Sequence, residues 1–94
     1  MNITVFMEYK VQEERRPFYL QQIEEIKRQM EARGCSEYRW YEGIEQPHLF
    51  VEMFELPSYQ RYEEIKAWRQ SDASFAENIA GGAAKLHVWA FRSL

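Results

Sequence analysis

The fold is decided by the stretch HLFVEMF, residues 48–54, in which two sets of side chains alternate. One set mixes aromatic and polar residues and the other is aliphatic: His48, Phe50, Glu52 and Phe54 against Leu49, Val51 and Met53. A period of two predicts a β-strand that presents one set to each side of a sheet. Pro57 and Ser58 follow, and they predict the end of this strand and the capped start of a helix at Ser58.

Working outward, similar alternation predicts strands at residues 3–11, 36–43 and 86–91. A helix is predicted between Pro17 and a stop at Gly34, with apolar residues spaced four, three and four apart: Tyr19, Ile23, Ile26 and Met30. The helix that opens at Ser58 carries a second apolar stripe and a new cap at Ser71 or Asp72: Tyr62, Ile65 and Trp68, then Phe75 and Ile79.

The predicted order is strand, helix, strand, strand, helix, strand. It indicates an α+β fold, a ferredoxin-like β-α-β-β-α-β arrangement with a four-stranded antiparallel sheet, as a single domain over residues 1–94. Right-handed crossovers place the first and third strands in the centre of the sheet, with both helices on one of its faces.

Composition narrows the classes of function. The net charge is −3 with acids and bases interspersed, so no basic footprint for nucleic acid is present. No stretch approaches the ~20 apolar residues that span a bilayer. Cys35 is the single cysteine and the N-terminal segment lacks a basic leader, which predicts a cytoplasmic protein without a disulfide or a cysteine metal site. We expect no metal and no cofactor.

The second face of the sheet is unusually aromatic. We expect three aliphatic sets to lie beneath the helices: Ile3, Val5 and Met7; Leu49, Val51 and Met53; and Leu86, Val88 and Ala90. The opposite face then carries two histidines, several charged groups and five large aromatics: Phe6, Glu8, Lys10, His48, Phe50, Glu52, Phe54, His87, Trp89 and Phe91. Five large aromatics exposed on neighbouring strands would form an apolar patch on the order of several hundred Å², which is rare on monomers. Packing against a second copy would bury this patch. A homodimer through the sheet face is the prediction.

Acids and imidazoles among aromatic rings also suggest a small-molecule site, since ligand pockets are mostly apolar with a few convergent polar groups. Glu52 and His87 are the candidate catalytic residues, and the candidate substrate-binding residues are the other members of that face: Phe6, Glu8, His48, Phe50, Phe54, Trp89 and Phe91. The alternative for Glu8 and Glu52 is a structural ion pair with Lys10, Arg39 or His87. The alternative for the whole face is a dimer interface without a reaction.

The chain resembles the dimeric α+β barrel superfamily, in particular its antibiotic-biosynthesis-monooxygenase type. The resemblance rests on the topology and on a pattern of aromatic-x-Glu-x-aromatic, Trp and Ser-x-x-x-Phe: Phe50, Glu52 and Phe54, then Trp68, then Ser71 and Phe75. It implies a homodimer with one cavity per subunit and oxygenation of quinol-like or aromatic molecules without metal or flavin. Haem binding through His48 or His87 is a further alternative.

Overall fold

The computed structural model describes residues 2–94. Four strands and three α-helices follow one another in chain order: β1 (Ile3–Lys10), α1 (Arg16–Ala32), β2 (Ser36–Glu42), β3 (Leu49–Leu56), α2 (Tyr59–Ser71), α3 (Ala73–Ala76) and β4 (His87–Arg92). Short 3-10 turns precede α1 and β4, at Glu13–Arg15 and Ala83–Lys85. The strands form one antiparallel sheet in the order β2-β3-β1-β4. The predicted ferredoxin-like topology is therefore confirmed.

Local signals place the helices as predicted. The stripe Tyr19, Ile23, Ile26 and Met30 is the buried side of α1. Gly34 ends this segment with a φ of +98°, a conformation that costs glycine little. The Ser58 hydroxyl accepts a hydrogen bond from the Arg61 backbone N–H at 3.2 Å and so caps α2. The Asp72 carboxylate caps α3 in the same way, through the Phe75 N–H.

The prediction of which residues face the helices is correct for β1 and β4 and wrong for β3. Val5, Met7 and Tyr9 of β1 are buried, and they stand directly opposite Phe54, Glu52 and Phe50 of β3 in the register. Directly opposed residues project from the same side of a sheet. Phe50, Glu52 and Phe54 therefore lie beneath the helices, and the predicted bare-face position of these three residues is corrected.

The face without helices, called here the open face, combines the polar and aromatic residues of β1 and β4 with the aliphatic set of β3: Phe6, Glu8, Lys10, Leu49, Val51, Met53, His87, Trp89 and Phe91. Its side chains are mostly half-buried or exposed. The alternation in β3 does not reveal this outcome, because both of its sets are largely apolar and either could face the core.

Candidate functional site

A shallow groove crosses the open face. It has a volume of about 370 Å³ and is lined by Phe6, Glu8, Val51, Trp89 and Phe91. Phe6 stands opposite Trp89 across the β1–β4 pair, and its ring meets that of Phe91 edge to face at 5.4 Å. Trp89 and Phe91 are 46% and 53% exposed, so this groove has large aromatic walls that the single chain leaves open. We call it the open-face groove.

Two ionisable side chains accompany these rings. Glu8 lines the groove, and His87 stands directly opposite it in the β1–β4 register. The imidazole of His87 stacks on the Trp89 ring at 5.7 Å between centroids. Within residues 2–94 the Glu8 carboxylate forms no ion pair, unlike the predicted structural alternative. A carboxylate and an imidazole thus stand beside the aromatic walls as hydrogen-bonding groups.

Glu52 belongs to a different environment on the helix side of the sheet. Its carboxylate is fully buried and accepts two hydrogen bonds from the Arg69 guanidinium, at 2.9 and 2.6 Å. The hydroxyls of Tyr9 and Tyr38 donate to its two oxygens at 2.6 and 2.7 Å. Burial alone raises the pKa of Glu52, but Arg69 and the two hydroxyls outweigh it and hold the pKa below the usual glutamate range. Glu52 is therefore a charged and fully bonded group.

This buried network extends towards β2 through a second tyrosine. The Tyr9 and Tyr19 hydroxyls are 2.7 Å apart, and the Trp40 indole N–H donates to the Tyr19 hydroxyl at 2.9 Å. Burial, followed by the Glu52 charge, raises the pKa values of Tyr9 and Tyr19 above their ordinary value. Both phenols consequently keep their protons at neutral pH.

His48 lies at the end of the sheet, in the residue before β3, with a φ of +72°. Its Nδ1 is 3.1 Å from a guanidinium nitrogen of Arg16, and its backbone N–H donates to Glu42 at 2.8 Å. Arg16 also holds Glu42 through two hydrogen bonds, at 2.6 and 2.7 Å. The hydrogen bond from Arg16, with that from the His48 backbone, lowers the pKa of Glu42 to about 2. His48 is thus part of an ionic cluster that joins α1, β2 and β3.

The structure divides the predicted site residues into three groups. The first group lies together on the open face: Phe6, Glu8, His87, Trp89 and Phe91. The second group lies beneath the helices and comprises Phe50, Glu52 and Phe54, while His48 stands alone at the sheet end. The predicted catalytic pair Glu52 and His87 is therefore separated by the sheet. Within residues 2–94, no group of three or more potential metal ligands comes together.

The sequence prediction missed two residues, one in the groove and one beside Glu52. Val51 lines the groove in place of Phe50, and Arg69 is the buried partner of Glu52. A signal for Arg69 existed, because it continues the buried stripe of α2 at Tyr62 and Ile65 with spacings of three and four. A cation on an apolar stripe indicates a buried anion nearby. The predicted stripe contains Trp68 in its place, and Trp68 is only partly buried.

The topology and the bare aromatic face define an α+β protein of the ferredoxin-like class. Solved structures share this fold. A conserved protein from Methanosarcina mazei superposes on this chain with a TM-score of 0.80 at 14% sequence identity, and the match covers 100% of this chain and 94% of that one. Protein Rv0793 from Mycobacterium tuberculosis gives 0.79 at 15% identity, with coverages of 100% and 96%. A structure described as an antibiotic biosynthesis monooxygenase gives 0.69 at 14% identity and covers 98% of each chain.

No protein-family model and no curated protein matches the sequence. The predicted resemblance to antibiotic-biosynthesis-monooxygenase-like proteins is confirmed at the level of the fold. At these identities the fold is what the proteins share, and fold alone does not define a reaction. In residues 2–94, no helix has the length and apolar character needed to cross a bilayer.

Proposed function

We propose that the protein binds a small aromatic molecule in the open-face groove and that a second copy closes this groove. The observation that carries the proposal is the groove itself, with exposed aromatic walls and an unpaired carboxylate on a sheet face that no helix covers. The proposed assembly is a dimeric α+β barrel, in which the single domain of residues 1–94 pairs through its open face. A cytoplasmic location belongs to the same proposal and fits the single cysteine, Cys35.

The dimer follows from the physical character of this face. Sheets pack face to face about 10 Å apart, which leaves room for interdigitated side chains or for a flat ligand between them. A two-fold axis would bring Trp89 and Phe91 against the same surface of the partner copy and remove their exposed area from water. Each buried aromatic ring contributes favourable transfer free energy in proportion to the area covered.

The proposed chemistry is oxygenation of a quinol-like or aromatic substrate without a cofactor. A phenolic hydroxyl placed in the groove can transfer its proton to His87 or Glu8, because general bases act within hydrogen-bond reach of the proton they remove. The resulting phenolate gives an electron to dioxygen more readily than the neutral phenol does; the phenoxyl radical and superoxide then combine at a ring carbon to give a hydroperoxide, which loses water and leaves a quinone. Phe6, Trp89 and Phe91 would hold the ring of the substrate. The structural neighbour described as an antibiotic biosynthesis monooxygenase supports this reaction class.

Oxygen uptake with a panel of hydroquinones tests the reaction. Turnover is expected, with strong loss on His87→Ala or Glu8→Gln, since each variant removes a proton acceptor. Glu55→Gln is the matched control, because Glu55 is a β3 glutamate that does not line the groove. Absence of uptake with every hydroquinone, or equal rates in all three variants, would refute the proposed chemistry.

A non-catalytic dimerisation module is the second candidate. The observation that favours it is the Glu52–Arg69 pair, which accounts for the buried acid in structural terms and leaves the aromatic face as an interface. This candidate gains support if the protein is a dimer that neither takes up oxygen nor binds hydroquinones in calorimetry. Ligand binding that Glu8→Gln weakens would exclude it.

A further inference from the structure

The buried network on the helix side contains a directed chain of hydrogen bonds. A carboxylate only accepts, so the single hydroxyl proton of Tyr9 points to Oε2 of Glu52 at 2.6 Å. The Tyr19 hydroxyl must then donate to the Tyr9 oxygen. The indole N–H of Trp40 only donates, so it points to the Tyr19 oxygen. The chain therefore runs from Trp40 through Tyr19 and Tyr9 to Glu52 without an ambiguous proton.

We propose that Tyr9 is a redox-active tyrosine, oxidised through Trp40 and Tyr19 by a one-electron oxidant at the surface, a transition-metal complex in its higher oxidation state. In this step the oxidant gains one electron, the O–H bond of Tyr9 breaks, and its proton passes to Oε2 of Glu52. The products are a neutral phenoxyl radical at Tyr9, a protonated Glu52 and the reduced oxidant. The Tyr19 hydroxyl keeps its hydrogen bond to the Tyr9 oxygen and stabilises the radical.

Ring geometry supplies the route for the electron. The Trp40 and Tyr19 centroids are 6.1 Å apart, and those of Tyr19 and Tyr9 are 5.8 Å apart. Trp40 is half-buried, so it can meet an oxidant in solution, whereas Tyr19 is fully buried and Tyr9 is 1% exposed. Each ring is thus close to the next along a path from the surface into the core.

The arrangement favours Tyr9 over the other rings as the place where the radical persists. Tyr19 donates to a neutral phenol oxygen, which is a poorer proton acceptor than the Glu52 carboxylate. Tyr38 also donates to Glu52, at 2.7 Å, but it is half-buried and accessible to reductants in solution. Among the tyrosines of residues 2–94, Tyr9 alone combines a direct carboxylate acceptor with nearly complete burial. Because burial raises the pKa of Tyr9, its proton leaves with the electron and not before it.

This inference is independent of the open-face groove, since Tyr9 and Glu52 lie on the opposite side of the sheet from Glu8 and His87. It assigns the buried carboxylate a role as proton acceptor: a protonated Glu52 still accepts hydrogen bonds from Arg69, while the loss of its negative charge beside the buried guanidinium raises the potential that the oxidant must supply. Failure of the hydroquinone assay would leave the prediction for Tyr9 unchanged.

The test is photo-oxidation of the full chain with a ruthenium polypyridyl complex and persulfate, followed by electron paramagnetic resonance. The wild type is expected to give a long-lived tyrosyl signal that is lost in Tyr9→Phe and retained in Tyr38→Phe. These two variants are matched, because each removes one hydroxyl from the same carboxylate. The exposed Tyr41 provides a surface control, Tyr41→Phe, which should retain the signal.

Urea unfolding of each variant establishes that it is folded, and Trp40→Phe gives a second reading that leaves the buried phenols intact. It is expected to slow the appearance of the tyrosyl signal without changing its lifetime. Absence of a long-lived signal in the wild type, its survival in Tyr9→Phe, or equal loss in Tyr38→Phe would overturn the proposal. Unchanged kinetics in Trp40→Phe would overturn the route.

Discussion

Replacing Arg69 by methionine should expose the energetic role of the buried ion pair. The substitution keeps an aliphatic side chain in the α2 stripe but removes both guanidinium hydrogen bonds to Glu52, at 2.9 and 2.6 Å. The carboxylate is then left with the hydroxyls of Tyr9 and Tyr38 and no compensating charge. Breaking a buried pair by removing one partner costs about 3–5 kcal/mol. That is a large part of the ~5–15 kcal/mol by which a domain of this kind is stable.

Urea denaturation measures this loss directly. With a slope of about 1–2 kcal/mol per M urea for a small domain, the midpoint of Arg69→Met should fall by roughly 1.5–5 M. Arg28→Met is the matched control, since Arg28 pairs with Glu25 on the surface of α1, where both side chains are more than half exposed. Such exposed pairs contribute about 0–1 kcal/mol. A second substitution, Glu52→Gln in the Arg69→Met background, should recover part of the loss because it removes the unpaired charge.

The dependence on pH distinguishes a lost charge partner from simple loss of packing. In the wild type the pKa of Glu52 is lowered. The contribution of the Glu52 charge to the free energy of unfolding is therefore complete above the ordinary glutamate pKa and is lost as pH falls through the lowered pKa. Without Arg69, burial raises this pKa, and protonation of Glu52 then stabilises the folded state as pH falls. The difference between Arg69→Met and wild type should therefore shrink from about pH 7 to about pH 5. A cost below about 1 kcal/mol, or one that is the same at both pH values, would refute the reasoning.

Three further predictions concern the sheet end, the open face and the α2 cap. Arg16→Met should raise the pKa of Glu42 from about 2 towards the usual glutamate range. In the wild type this pair stabilises the fold fully above that range and the stabilisation is lost as pH falls through about 2, whereas the variant should lack it at every pH. Carbon-detected NMR titration measures the pKa of Glu42, and an unchanged pKa would contradict the prediction. Phe91→Arg should convert the proposed dimer to a monomer in light scattering, because it places a charge in the aromatic interface, and an unchanged mass would count against the open face as the contact. Ser58→Ala should lower the free energy of unfolding by about 0.5–2 kcal/mol through loss of the N-cap, and Ser58→Asp should restore most of it; equal stability of all three proteins would show that the cap is not made.

The structure confirmed the predictions that depended on local chemistry. The α1 stripe, the stop at Gly34 and the caps at Ser58 and Asp72 each involve residues within a few positions of one another. Chain order and the right-handed crossover then led to the sheet order β2-β3-β1-β4. The aromatic character of the open face near Trp89 was also recognised, since β4 has one aliphatic and one aromatic set.

The candidate site was predicted only in part, and apart from His48, which lies outside β3, the error has a single origin. Assigning the aliphatic set of β3 to the core moved Phe50, Glu52 and Phe54 to the wrong face and removed Val51 from the groove. The same error led to the wrong ion-pair partners for Glu52. A carboxylate expected on the open face was predicted to pair with cations near that face and not with Arg69.

The sequence by itself determined the order and type of the elements, the buried stripe of α1 and the presence of two chemically different sides on each central strand, because these depend on spacings of two to four residues. Only the tertiary structure decided which side of β3 faces the helices, and with it the separation of Glu52 from His87. The reason is that the direction of a strand's side chains is set by its register with β1, where Met7 meets Glu52 across 45 positions of the chain, and no local periodicity encodes that pairing.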